Sequence, residues 1–131
     1  MKTYTSIGNI DITLVKNIFN DISTREIVLT NERQTHVLTH HNEDLILYGN
    51  CLKEIIKGPD YILKETKKEN TIIMIKKING ENINLVIKLA TKRDEIHTKN
   101  SIMTFYRIRE KNLKKLITKN KIIFKRLDRS E

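Results

Sequence analysis

Three of the chain's four histidines, His36, His40 and His41, fall within six consecutive residues of the stretch T-N-E-R-Q-T-H-V-L-T-H-H (Thr30–His41). Imidazole is the side chain that titrates nearest neutrality, so a local cluster suits proton transfer or metal binding. His36 and His40 are four apart and share a face if the segment is helical, which is also the spacing of a zinc pair. The His-Glu-x-x-His signature is absent, however, and no Asp or Cys cluster nearby supplies a third ligand. A surface helix with solvated histidines carries the same pattern. On these residues alone, all three readings stay open.

The elements that must position this cluster can be read in order. Lys2–Ile7 is an extended lead-in ended by Gly8-Asn9, and Asp11 caps a helix with Ile12, Leu14, Val15, Ile18 and Phe19 at helical spacing. Asn20-Asp21 interrupts it, and Arg25–Leu29 is short and apolar enough for a strand. Thr30 or Asn31 caps the histidine helix, with Glu32 in its first turn where the dipole favours an acid. A second helix is expected from about Asp44 to Ile56, stopped by Lys57-Gly58-Pro59, with Gly58 suited to the left-handed position after it. The period then alternates. Asp60–Thr66, Thr71–Ile78, Asn84–Ala90 and Ser101–Ile108 read as strands, with Asn79-Gly80 a type I′ hairpin signal. Thr91–Asn100, holding His97, is a polar loop. Arg109–Asn120 is a basic amphipathic helix, and Lys121–Glu131 a tail.

Helices followed by a meander predict a single α+β domain over residues 1–131. Its N-terminal helices pack on one face of a four-stranded antiparallel sheet, with a basic C-terminal helix. The other sheet face stays open to solvent or substrate. Alternation places Leu85, Ile87 and Leu89 toward the helices and Lys88 on the open face. Met103 and Phe105 can face the core, with Ile102, Thr104, Tyr106 and Ile108 opposite, although both sets contain apolar residues.

Charge limits the partners. The net charge is +9, but residues 1–60 carry 6 Lys+Arg against 8 Asp+Glu, whereas residues 99–131 carry 11 against 3. A positive field gathered in the last quarter points to a polyanion such as nucleic acid, or to an acidic inhibitor protein. Lysine outnumbers arginine 18 to 7, so a solvated lysine-rich surface is the plainer account of the same numbers. The one cysteine, Cys51, excludes an internal disulfide framework and fits a reducing compartment. Its apolar neighbours Leu52, Ile55 and Ile56 suggest a buried structural thiol. No run is long enough to cross a membrane, and Met1–Ile10 has no signal-peptide h-region.

Taken together, H-V-L-T-H-H (His36–His41), E-I-I-K-G-P-D-Y-I (Glu54–Ile62), V-I-K-L (Val86–Leu89) and T-F-Y-R-I (Thr104–Ile108) resemble the phage-associated nuclease branch of the barnase–EndoU–colicin–RelE superfamily. The similarity runs from about Tyr4 to Leu127. It implies a small, metal-independent ribonuclease, needing no cofactor and often deployed as a toxin, with the helix-on-sheet arrangement already reached. By residue, the resemblance places the catalytic histidines on His36 and His41, with His40 where the family often has a basic residue. It places the strand lysine on Lys88 and the Ser/Thr-x-Tyr of the last strand on Thr104 and Tyr106. Residues five apart on a helix point about 140° apart. His36 and His41 therefore converge only if the helix ends near His40; otherwise His36 pairs with His40. A carboxylate base has no obvious equivalent, Glu32 being the one near candidate.

The implied reaction is cleavage of RNA by its own 2′-hydroxyl, leaving a 2′,3′-cyclic phosphate. His36 and a second histidine move the protons, Lys88 and Thr104 stabilise phosphate oxygens, and Tyr106 orients the phosphate or stacks on a base. Arg107, Arg109, Lys111 and Lys114 bind the backbone. The expected substrate is RNA, transfer RNA among the candidates, and the expected site of action is the cytoplasm, including that of a cell into which the protein is delivered. An acidic immunity or antitoxin protein is a plausible partner, and the free chain is expected to be a monomer without membrane attachment. A catalytically inactive nucleic-acid-binding domain of phage origin would carry the same basic C-terminal helix.

Overall fold

The computed structural model describes residues 3–127; Lys2 of the expected lead-in and residues 128–131 of the expected tail lie outside them. Seven strands form one sheet: β1 (Tyr4–Asn9), β2 (Glu26–Thr30), β3 (Tyr61–Lys64), β4 (Thr71–Ile78), β5 (Glu81–Lys88), β6 (Asn100–Ile108) and β7 (Lys121–Lys125). Their spatial order is β1-β2-β6-β5-β4-β3-β7. The expected meander is present as β3 to β6, each antiparallel to the next. Its turn chemistry holds as well, with Asn79 and Gly80 at φ 51° and 82° closing the β4–β5 hairpin.

The sheet is nevertheless seven-stranded and mixed, which corrects the expected four-stranded antiparallel sheet. On one side β1 pairs antiparallel with β2, and β2 runs parallel to β6 through Ile27↔Asn100 and Val28↔Ser101. On the other, β7 pairs antiparallel with β3, bulged between Ile62 and Leu63. Parallel pairing needs a crossover rather than a turn. The β2–β6 pairing therefore leaves no local signal across the nearly 70 residues between its strands. The five residues of β7 follow a basic helix directly and read as more of the same charge run.

Four α-helices attach to this sheet: α1 (Asn31–His40), α2 (Asn42–Tyr48), α3 (Leu52–Lys57) and α4 (Glu110–Lys119). Two expected helices change. Asp11 does cap, its Oδ1 accepting from the Thr13 N–H at 3.0 Å, but the capped segment is only a 3-10 turn, Ile12–Leu14. Ile12, Thr13 and Val15 are β-branched, and a short segment rich in such residues propagates a helix poorly. The helix expected over Asp44–Ile56 is split by a 3-10 turn at Gly49–Cys51, where glycine and asparagine disfavour the helix interior. It does stop at Lys57 as expected, yet Gly58 has φ −146° and is not left-handed.

Both sheet faces are covered, the first more widely than the second. Ile62, Ile72, Met74, Leu85, Ile87, Ile102 and Phe105 form one core with residues of β2 and α1 to α3. On the other face Leu113 of α4 seats on Tyr61, Leu63, Ile73 and Ile75, closing β3 and β4. The face expected to be open is therefore covered over β3 and β4, and Val86 of β5 and Ile108 of β6 pack against the same cluster. Cys51 is a half-buried free thiol packed on the first core.

One break in the ladder brings the histidine helix over β6. β2 leaves β6 after Ser101, and at Thr30 the chain turns into α1, the Thr30 hydroxyl accepting from the Arg33 N–H at 3.1 Å. Helices α1 and α2 then pack against β6.

Candidate functional site

The histidines divide at the end of α1. His36 and His40 face the same way, with ring centroids 4.6 Å apart and planes tilted by 50°. The helix ends at His40. His41 is the residue between α1 and α2, at φ −141° and ψ 48°, its N–H donating to the Val37 carbonyl at 2.7 Å. Freed from the helix, its ring stacks on Tyr106 of β6, with centroids 5.0 Å apart and planes within 20°. Partial burial, first, and then the positive charges of Arg33, His40 and His41 hold the His36 imidazole below its ordinary pKa of 6.5. His36 is thus predominantly neutral at neutral pH.

Tyr106 and Thr104 lie on the sheet face opposite the main core, as the alternation predicted for them. The partner assignment within β6 is corrected. Val86 pairs with Thr104 but Ile87 pairs with Ile102, so Met103 is an extra residue, a β-bulge. The bulge reverses the alternation before it. Ile102 is fully buried alongside Phe105, and Met103, expected in the core, is only half-buried. A single-strand pattern cannot show an inserted residue, because period 2 simply continues on each side of it.

The exposed Met103 carbonyl has a partner that sequence reasoning passed over. Arg33 donates to it through Nε at 2.8 Å and Nη2 at 2.6 Å. Arg33 stands one turn before His36 on the same helical stripe, and that i, i+3 spacing was the signal available for it. It lines a hollow of about 490 Å³ with Lys88, Glu32, Ser101 and Met103. A second hollow, about 420 Å³, shares Lys88 and Met103. Lys88 therefore lies by the first turn of α1, in a hollow whose lining includes Asn31, Glu32 and Arg33. A larger hollow of about 670 Å³ lies elsewhere, between β1 and α3.

Two polar side chains near Tyr106 are unsatisfied. Among the described residues, the Thr104 Oγ1 and both amide atoms of Asn84 are buried without a hydrogen-bond partner. Asn84 pairs directly with Tyr106 across β5–β6 and is fully buried. It too was missed, although an asparagine in phase with Lys88 inside an apolar strand was visible. An orphaned buried group costs about 1–3 kcal/mol, while an apolar group of similar shape costs nothing of that kind. Asn84→Leu is accordingly expected to raise stability by about 1–2 kcal/mol, read from thermal or denaturant melts. A loss of stability would show that the amide is satisfied in the folded chain.

The basic residues separate into held and free ones. Arg107 donates from Nε to Asp44 at 2.6 Å and pairs through Nη2 with Glu43 at 2.8 Å, and these two hydrogen bonds raise its pKa further. It ties α2, and with it His41, to β6. Arg109 precedes α4 and, like Lys111 and Lys114 on that helix, is exposed. The helix is centred over β3 and β4, two strands from Tyr106. His97 is exposed in its loop. Among the described residues, no three His, Cys, Asp or Glu side chains gather as a metal site requires, and no helix is long and apolar enough to cross a membrane.

Across residues 5–115 the sequence matches the family described as phage-Barnase-EndoU-ColicinE5/D-RelE like nuclease3. The chain belongs to this family. The matched span contains all of the candidate residues above, and it ends within α4, before β7. Comparison with curated proteins and with solved structures gives no match. Membership in the phage-associated Barnase-EndoU-Colicin-RelE-like nucleases makes nuclease activity the activity of this fold and nucleic acid its substrate class.

Proposed function

We propose that this nuclease is a metal-independent endoribonuclease, a toxin or phage effector acting in the cytoplasm, that cleaves RNA by attack of the 2′-hydroxyl and leaves a 2′,3′-cyclic phosphate. The observation that carries the reading is the split of the histidines. The neutral His36 stays on α1 against His40, whereas His41 leaves the helix and stacks on Tyr106, two residues along β6 from the unsatisfied Thr104 hydroxyl. In-line displacement sets the attacking and leaving oxygens on opposite sides of phosphorus. Two rings only 4.6 Å apart, as in His36 and His40, leave no room for a phosphate between them. His36 is therefore the base that removes the 2′-hydroxyl proton, and His41 the acid that protonates the leaving 5′-oxygen. Burial first, and then Arg33, keep His36 neutral, and His40 packs against its ring.

Thr104 donates its hydroxyl to a non-bridging phosphate oxygen, and Tyr106 holds His41 and turns its own hydroxyl toward the phosphate. Lys88 draws the RNA backbone to the α1 end of the sheet face. Arg107 is the positioning residue for His41, while Arg109, Lys111 and Lys114 attract RNA at longer range. Transfer RNA is one candidate target. The basic C-terminal quarter suits blockade by an acidic immunity or antitoxin protein.

The test is incubation of the purified protein with total RNA, with and without EDTA, and mapping of the product ends. The expected result is EDTA-insensitive cleavage with 2′,3′-cyclic phosphate ends. Intact RNA at protein excess, with binding that weakens steeply in salt, would overturn the reading in favour of a binding domain. Cleavage lost to EDTA would instead remove its metal-independent part.

A further inference from the structure

We infer that the hollow between the first turn of α1 and the Lys88 end of β5 is a second phosphate site, which holds the phosphodiester next to the one that is cut. The inference rests on the nucleic-acid substrate proposed above and adds a reach of at least two phosphates to it.

The hollow presents two cations, Lys88 and Arg33. Among the described residues, neither is in an ion pair, whereas Arg93, Lys99, Arg107 and Arg126 each meet a carboxylate. Two cations facing one concavity create a positive potential that favours an anion there. The single carboxylate in the lining, Glu32, is exposed and sits in the first turn of α1, where the helix dipole already favours it. It offsets one of the two positive charges, so the lining keeps a net positive charge that suits a phosphodiester monoanion.

The geometry is built rather than incidental. Arg33 is aimed by its two bonds to the Met103 carbonyl, which the β-bulge turns toward the helix. Those bonds occupy one side of the guanidinium fork and leave its other N–H groups to donate. Lys88 is paired across the strands with Ser101, which lines the same hollow. Arg33 precedes His36 by one helical turn, about 5 Å along the axis, a separation on the scale of one nucleotide step. A strand held at His36 and Tyr106 therefore delivers its neighbouring phosphate to Lys88 and Arg33, running along β6.

The experiment uses single-stranded 2′-deoxy oligonucleotides with one, two and three phosphates, which bind but carry no 2′-hydroxyl to attack. Fluorescence anisotropy over a salt series gives affinity and salt slope. The wild-type protein is expected to gain about tenfold in affinity on addition of one phosphate, and Lys88→Gln and Arg33→Gln each to lose that gain. The slope of log K against log salt should flatten by about 0.7 for the lost contact. Arg33→Gln also removes the bonds to Met103, so thermal melts accompany it. Lys88→Gln changes an exposed side chain in no ion pair and carries the test if the Arg33 variant unfolds. A Lys88→Gln protein that keeps both the gain and the slope overturns the second site. A protein that shows the gain but cuts no RNA overturns the ribonuclease reading and leaves this site standing.

Discussion

Replacing His36 with alanine is expected to lower RNA cleavage by a factor of about 10²–10⁴, the usual contribution of one general acid–base group, without unfolding the chain. His36 is half-buried on α1, its ring packs on that of His40, and it is not part of the core formed by Val37 and its neighbours. The pH profile provides a second reading of the same assignment. A base acts in its neutral form, so the rate falls as pH drops through the His36 pKa. Burial and the charges of Arg33, His40 and His41 set that pKa below 6.5, and the acid limb should lie correspondingly low. A folded His36→Ala protein that cuts at the wild-type rate, or an acid limb lying above the ordinary imidazole value, would sink the assignment.

The largest expected loss of stability comes from Phe105→Ala. Phe105 is fully buried in the main core, between Thr104 and Tyr106 on the strand that carries the site. Truncating a buried phenylalanine costs about 3–5 kcal/mol, through lost transfer energy and the cavity left behind. Set against a total stability of about 5–15 kcal/mol for a domain, that is a large share. Thermal unfolding followed by circular dichroism should show Tm lowered by about 10–20 °C. A shift of a degree or two would mean that the β6 alternation has been assigned to the wrong face. Because Tyr106 carries His41, cleavage should also weaken while the variant is still folded.

Much of the central architecture was readable because its signals are local. Asn79-Gly80 encodes a hairpin through the positive φ that both positions adopt, and Thr30 encodes the start of α1 through its cap bond. The strands β3 to β6 followed from alternation and spacing. Most errors arose where a distant partner decides the outcome. Ile27 and Val28 pair with residues more than 70 positions away, and β7 is a strand only because β3 offers it an edge. The helix expected over Asp44–Ile56 failed for a local reason that was underweighted, the Gly49-Asn50 pair in its middle.

For the site, the sequence by itself determined which groups are present: three histidines on one stretch, a threonine and a tyrosine in phase on β6, and a lysine in phase on β5. Those facts follow from residue type and period alone. Only the tertiary structure decided how they are arranged. Whether His40 or His41 partners His36 depends on where α1 ends, and α1 ends at His40, where the chain turns into α2 and Arg107 holds that helix to β6 through Glu43 and Asp44. Arg33 became part of the site only through the Met103 bulge, and Asn84 only by lying under Tyr106 in the β5–β6 register. Side-chain bonds and strand pairings between residues some 20 to 70 positions apart set those outcomes, and no period along a single strand or helix encodes them.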